Sequence, residues 1–233
     1  MNHFKIKKQS ALQNKSTAKK EFLSRLRTRA WRTAGARYNA ARRLRLREKA
    51  STCTLAAFSA ISIVITVVEK VCLSNSNEYL NNRLDLLSIA LGLFILVTSL
   101  LEWGNSYGAR ADALHRNAEE LNAYQAKIEH LISRMESGEI LGLHTTTQMR
   151  KEYEIIKNRC SYNHEPHDDK MFIHQQRHSI EFKNQDTADE TCAVKIKLKG
   201  FFWHIQAIWY YLIMWVVVFI AIYASFSTEQ SIC

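Results

Sequence analysis

Residues 52–68 read TCTLAAFSAISIVITVV and residues 86–101 read LLSIALGLFILVTSLL, and neither stretch holds a charged side chain. A spanning helix needs about 20 mostly apolar residues, since each rises about 1.5 Å against a hydrocarbon core of about 30 Å. The first run reaches that length by extending to Leu73, with Glu69 and Lys70 at headgroup level. The second reaches it from Leu84 to Trp103, with Asp85 and Glu102 at its boundaries. The competing reading is a buried helical hairpin in a soluble core, but such helices rarely stay apolar on every face for so long. The pattern therefore predicts two spans, 52–73 and 84–103, joined by a short turn.

A third run, Ile205–Phe226 (IQAIWYYLIMWVVVFIAIYASF), is also free of charge. Trp203, Trp209, Tyr210 and Tyr211 crowd its beginning and Tyr223 its end, as suits rings placed at the interface. It reads as a third transmembrane helix over 201–227. The alternative, a helix lying in the interface, would require a charged face that the run lacks.

Charge is distributed unevenly. Residues 1–51 hold 16 Lys/Arg and two acids, a balance of 16 − 2 = +14, so the remainder of this +10 chain sums to 10 − 14 = −4. A basic segment beside the first span predicts a cytoplasmic N-terminus. The turn at 69–83 then lies outside, residues 104–200 return inside, and the third span leaves the C-terminus outside. Lys195, Lys197 and Lys199, just before the third span, agree with that orientation. A signal peptide is not expected, because the first apolar run starts behind a long basic stretch with no small-residue cleavage site.

One proline and seven glycines in 233 residues point to helix nearly throughout. The expected fold class is all-α, an integral membrane protein with long cytoplasmic helices. Residues 1–19 read as a basic, disordered tail. Ser16 or Thr17 is a candidate cap for a basic helix running to about Lys49. Its apolar positions Leu23, Leu26, Ala30, Thr33, Ala40 and Leu44 follow a 3-4 spacing interrupted by Arg37. No Pro or Gly lies between Arg37 and the first span, so this helix is free to continue into it. Its charges suit the lipid bilayer, where each Lys/Arg beside an anionic leaflet contributes roughly 1 kcal/mol. Direct nucleic-acid binding is the weaker reading, since a basic helix alone has no base-reading element and only Trp31 and Tyr38 interleave.

After the second span, Tyr107, Ala111, Leu114, Ala118, Leu121, Gln125, Ile128, Ile132 and Met135 follow 4-3-4-3 spacing without a slip. That is a coiled-coil-like seam on a helix over 104–136. It serves either packing against the chain's own helices or packing between protomers of a homo-oligomer. Ser137 and Gly138 break the pattern. A further helix is expected over 145–160, with Met149, Tyr153, Ile156 and Cys160 as its stripe. Pro166 ends helix before it, and Asp168 or Asp169 is a candidate N-cap for a helix over 168–182. Residues 183–200 read as a linker.

Three constellations could carry chemistry. His174 and His178 stand at i, i+4, a spacing used by metal sites. No H-E-x-x-H glutamate and no Cys pair accompanies them, so they are weak metal candidates beside a capping and surface reading. Five cysteines show no C-x-x-C pair. No phosphate loop, nucleotide fingerprint or nucleophile elbow is present, so neither a cofactor nor an enzyme is expected. Finally, polar groups in spans are informative. Ser59, Ser62 and Thr66 share one face of the first span; Ser88 and Thr98 lie in the second, with Glu69, Asp85 and Glu102 at the boundaries. They are candidates for lining a cation-favouring pore. Equally, the hydroxyls are able to bond their own backbone or pair across helices, with the acids in headgroup water.

A basic helix, two close spans, a long cytoplasmic helix and a helical tail together resemble the SLATT domain, a two-span effector domain of bacterial conflict systems. Tyr153-Glu-Ile-Ile156, then Tyr162-Asn163-His164, Asp168-Asp169 and Phe172, is similar to the tail signature of its fifth family. The resemblance covers roughly residues 20–182. It implies an anti-phage effector that assembles in the bacterial inner membrane and permeabilises or perturbs it. It also implies a partner sensor from a neighbouring gene, a reverse transcriptase or nucleotide-signalling protein. The alternative is a non-conducting membrane scaffold that recruits a nucleic-acid or signalling partner through the basic arm.

Overall fold

The structure, a computed structural model, describes residues 2–72, 78–142, 144–182 and 193–227. Among them the regular elements are six α-helices: α1 (Asn2–Cys72), α2 (Glu78–Asn105), α3 (Tyr107–Glu136), α4 (Thr145–Arg159), α5 (Pro166–Gln175) and α6 (Ala193–Ser227). They divide into two units, one formed by residues 1–42 and 110–200, the other by residues 43–109 and 201–233.

Several boundaries differ from expectation. α1 begins at Asn2, so the tail expected to be disordered over 1–19 is helical from that residue. Lys, Gln, Ala and Leu dominate it, and nothing in it breaks a helix. α1 also continues without interruption through the first apolar run. The second run behaves otherwise. A helix unbroken from the second span to Met135 is not what forms: Ser106 adopts φ 48°, and α2 stops at Asn105. The local sequence Gly104-Asn105-Ser106-Tyr107-Gly108 is poor in helix formers, and Ser106 N–H closes a turn onto the Trp103 carbonyl at 3.2 Å. α6 starts at Ala193, so residues 193–200 are helix rather than linker; residues 183–192 of that linker lie outside the described residues.

In the first unit the seam of α3 is buried as the 4-3 spacing requires. Ala111, Leu114, Ala118, Leu121 and Ile128 are buried, and Ile132 and Met135 pack at the edge. Their partners are Leu23, Leu26, Ala30 and Ala34 of α1 and Met149 and Tyr153 of α4. The small residues of α1 permit close helix approach. α3 ends in a Schellman motif, with Glu139 N–H bonded to the Arg134 carbonyl and Gly138 N–H to that of Met135, both at 3.1 Å. Gly138 supplies the required positive φ of 92°.

α5 starts earlier than the expected Asp168. Pro166 occupies the first helical position, Glu165 is the N-cap, and Asp168 is the third residue of a capping box. Proline tolerates that place because the N–H it lacks would be unbonded there anyway. α5 ends at Gln175, and two turns carry the chain to Phe182.

In the second unit α1, α2 and α6 share a core. Phe58 is fully buried, with Phe94 at 6.2 Å and Trp215 at 4.9 Å between ring centroids. Leu91 joins Tyr211, Met214 and Val218, which recur on α6 at 3-4 spacing. The opposite faces are apolar and bare: Ile63 is 65% exposed, Leu93 64% and Ile220 61%. At the start of α3, Gly108 lets the Glu48 carboxylate lie close to the backbone, and a Cβ there would push that flexible side chain aside. Two helical stretches among the described residues, Ser16–Val71 and Asn82–Glu136, contain windows long and apolar enough to cross a membrane; Ile208–Ala224 is a shorter apolar helix.

Candidate functional site

The residues that carry the family resemblance lie in the first unit, several of them against α1. Tyr153 is buried, and its hydroxyl lies 3.1 Å from the Thr33 hydroxyl. The Ile156 carbonyl accepts a 2.7 Å bond from the Asn117 amide. Asn117 in turn accepts from the Arg37 guanidinium through its carbonyl oxygen. Arg37 also donates to the Lys157 carbonyl at 3.1 Å. Thus the last turn of α4, where backbone carbonyls lack helical partners, is closed by two side chains from α1 and α3.

Arg37 is only 3% exposed. A charge taken from water needs hydrogen-bond partners; both terminal nitrogens of Arg37 have one, while its buried Nε has none among the described residues. Burial lowers the Arg37 pKa, but an arginine starts so high that it stays charged at neutral pH.

The following loop is held by other side chains of α1, Arg32 and Asn39. Arg32 grips Asp169 with two bonds of 2.7 and 2.6 Å. That planar, two-pronged geometry is the strong form of such a pair, and it raises the Arg32 pKa. Asn39 donates to the Asp168 carbonyl at 3.2 Å and to Gln175 at 3.1 Å. Asp168 is fully buried, and its carboxylate accepts the Glu165 N–H at 3.1 Å. His164 is half-buried among Asp169, Asp168, Arg37 and Arg32, and burial is the largest cause of its lowered pKa. Asn163 closes the loop locally, its side-chain oxygen accepting the His164 N–H at 3.0 Å.

An aromatic clasp completes the arrangement. Phe172 lies edge-on to Trp31 at 5.5 Å and to Phe182 at 5.7 Å. A Cβ on Gly35 would overlap the Phe172 ring, so glycine is what lets the ring lie on the α1 backbone.

The metal candidates are not assembled into a site here. His174 is buried and His178 exposed, and no group of three metal-binding side chains occurs among the described residues. The basic arm is partly spent on the bundle itself. Lys20 pairs with Glu136 at 2.7 Å, and Arg27 pairs with Glu129 at 3.2 Å and Glu181 at 2.6 Å.

In the second unit the polar candidates are placed as follows. Ser59 donates to the Leu55 carbonyl, Thr66 to that of Ser62 and Thr98 to that of Phe94, at 2.9, 3.0 and 2.6 Å. Thr66 and Ser88 hydroxyls also meet at 3.0 Å between α1 and α2. Glu69, expected in headgroup water, is 2% exposed; the side chain folds inward and Lys70 pairs with it at 2.8 Å. Lys70 also lies 3.9 Å from Asp85. Glu102 accepts the Tyr211 hydroxyl at 2.8 Å.

Sequence reasoning passed over Arg37, Asn117, Arg32 and Asn39. The signal was present for one of them: Arg37 sits in register with the apolar stripe of α1, where an unpartnered charge would not be tolerated.

Residues 19–224 match the SMODS and SLOG-associating 2TM effector domain, family 5. The chain belongs to that family. It is therefore a SLATT protein, built on a two-transmembrane effector domain of defence systems, and its long apolar helices are those of a membrane protein. No curated protein and no solved structure matches it.

Proposed function

We propose that this SLATT protein is the membrane-acting effector of a bacterial anti-phage system. It oligomerises in the inner membrane and, on a signal from a partner sensor, permeabilises the bilayer and halts the host cell. The observation that carries this reading is the second unit. Three helices pack around Phe58 while their outer faces stay apolar and bare. Such a surface is stable against lipid and costly in water. The core also argues for α6 as a third crossing, because Met214 and Val218 place it in the same shared core as α1 and α2.

The polar inventory supports oligomerisation. Within one copy the hydroxyls of Ser59, Thr66, Ser88 and Thr98 are bonded to backbone or to each other, and the core between the helices is filled around Phe58. A conducting path therefore needs several copies. Orientation follows the charge bias, with the N-terminus in the cytoplasm. The bundle then faces the cytoplasm, where its buried Arg37–Asn117 network is a two-sided polar element that a sensor is able to disengage.

The test is induced expression with a membrane-potential dye, with and without neighbouring gene products, beside ion leakage from liposomes carrying the purified chain. Depolarisation and leakage support the effector. Partner capture without either, lost on replacing exposed Arg25 and Arg29, would instead establish the scaffold reading.

A further inference from the structure

Around the end of α2 the second unit contains a cavity of about 290 Å³ that none of the foregoing uses. Its walls come from α1, α2, α6 and Tyr107 at the start of α3. α1 supplies Arg47, whose guanidinium lies 5.8 Å from the centre of the Tyr107 ring. α2 supplies Glu102, and α6 supplies Trp209, Tyr210 and Tyr211. Tyr211 donates to Glu102 at 2.8 Å and fixes the carboxylate. The Tyr210 ring stands edge-on to Tyr211 at 5.7 Å and to Trp209 at 6.4 Å. Trp209 and Tyr210 remain 50% and 42% exposed, so their faces are available.

The site thus joins a cation, an anion and aromatic faces in one recess. It also sits where an apolar stretch ends. Leu96, Leu100 and Leu101 are exposed just before Glu102, and Trp103 is 82% exposed just after it. Aromatic rings at the end of an apolar helix mark the headgroup layer. A ligand for this recess carries a negative and a positive group at that depth. Phosphate suits Arg47 through charge-assisted bonds. A cation suits the faces of Trp209 and Tyr210. The carboxylate selects further, because it accepts N–H bonds that a primary ammonium offers and a quaternary ammonium lacks. The volume lies at the small end of ligand sites, about 300–1,000 Å³. It takes a headgroup, leaving acyl chains to lie on the exposed leucines.

We propose that this cavity binds the phosphoethanolamine headgroup of a membrane phospholipid, with Arg47 on the phosphate and Glu102, Trp209 and Tyr210 on the ammonium. Binding would join α1, α2 and α6 through one lipid.

The test is native mass spectrometry of the full chain in detergent, titrated separately with dioleoyl phosphatidylethanolamine, phosphatidylcholine and phosphatidylglycerol. Phosphatidylethanolamine is expected to be retained about tenfold better than either of the others, from the combined carboxylate and cation–π contacts. Glu102→Gln should erase the preference over phosphatidylcholine, and Arg47→Gln should weaken all three. Water-soluble phosphoethanolamine should displace the lipid from the unaltered protein, a measurement that requires no variant to fold. Equal retention of the three lipids would overturn the proposal. So would displacement by inorganic phosphate as effective as that by phosphoethanolamine, which would mark a simple anion site.

Discussion

The two units of this protein treat polar groups in opposite ways. In the first, Arg37, Asn117, Asn39 and Asp168 are buried and bonded between helices, while apolar side chains fill the core. In the second, Ser59 and Thr98 bond the backbone of their own helix, and large apolar side chains face outward. The difference teaches which solvent each unit is built for. In water, hiding apolar surface drives packing, and polar groups between helices then give specificity. In hydrocarbon there is no such drive, so backbone groups are satisfied within each helix, packing goes by shape, and pairs such as Thr66–Ser88 are an addition.

The sharpest way to break this contrast is to remove a buried polar partner from the first unit. Asn117→Leu leaves the Arg37 charge buried with one partner fewer, and a loss of about 3 kcal/mol is expected. Thermal unfolding of the detergent-solubilised chain, or its resistance to protease, measures this. A change close to zero would mean Arg37 reaches water by another route. Next is Gly35→Ala, which drives a methyl group into the Phe172 ring at an expected cost of about 1–3 kcal/mol. Phe172→Leu in the same background should recover part of that loss, since it withdraws the ring.

The opposite expectation holds in the spans. Thr66→Val removes a hydroxyl that bonds the Ser62 carbonyl and Ser88, and interhelical bonds in membranes average only about 0.6 kcal/mol. Stability should barely change. If Thr66 lines a conducting path in the oligomer, the same variant should lower ion leakage while leaving unfolding unaltered, which separates the two roles. The least of the expected signals is a slope with pH. His164 has a lowered pKa in the folded chain because it is buried. Below its ordinary value of 6.5 the unfolded chain therefore binds the extra proton first. Stability is complete above that pH and falls as pH drops below it, until the folded histidine also protonates. His164→Gln should flatten the slope in a series of unfolding measurements between neutral and mildly acid pH.

Much of the fold was legible because periodicity reports solvent. The α3 seam from Ala111 to Ile128 is buried in the order its spacing predicts, and Gly138 stops the helix where a positive φ is needed. The break at Ser106 was less legible: no proline marks it, and the heptad begins only at Tyr107, just beyond it. The helical start at Asn2 was missed because charge was read as disorder, although lysine and glutamine are good helix formers. At the candidate site, Tyr153, Ile156 and Asp168 were singled out by resemblance. Their partners Thr33 and Asn117 were not, because hydrogen bonds between helices follow no sequence period.

By itself the sequence determined the all-helical class, the two apolar crossings and the family, since each rests on composition, run length or order along the chain. Only the tertiary structure decided that Arg37 is a buried hub rather than a flaw in a stripe. It likewise decided that Glu69 turns inward and that Arg47, Glu102 and Tyr210 line one recess. The physical reason is that burial and hydrogen bonding depend on which residues meet, and those meetings join positions up to 80 or more apart in the chain, as Arg37 and Asn117 do.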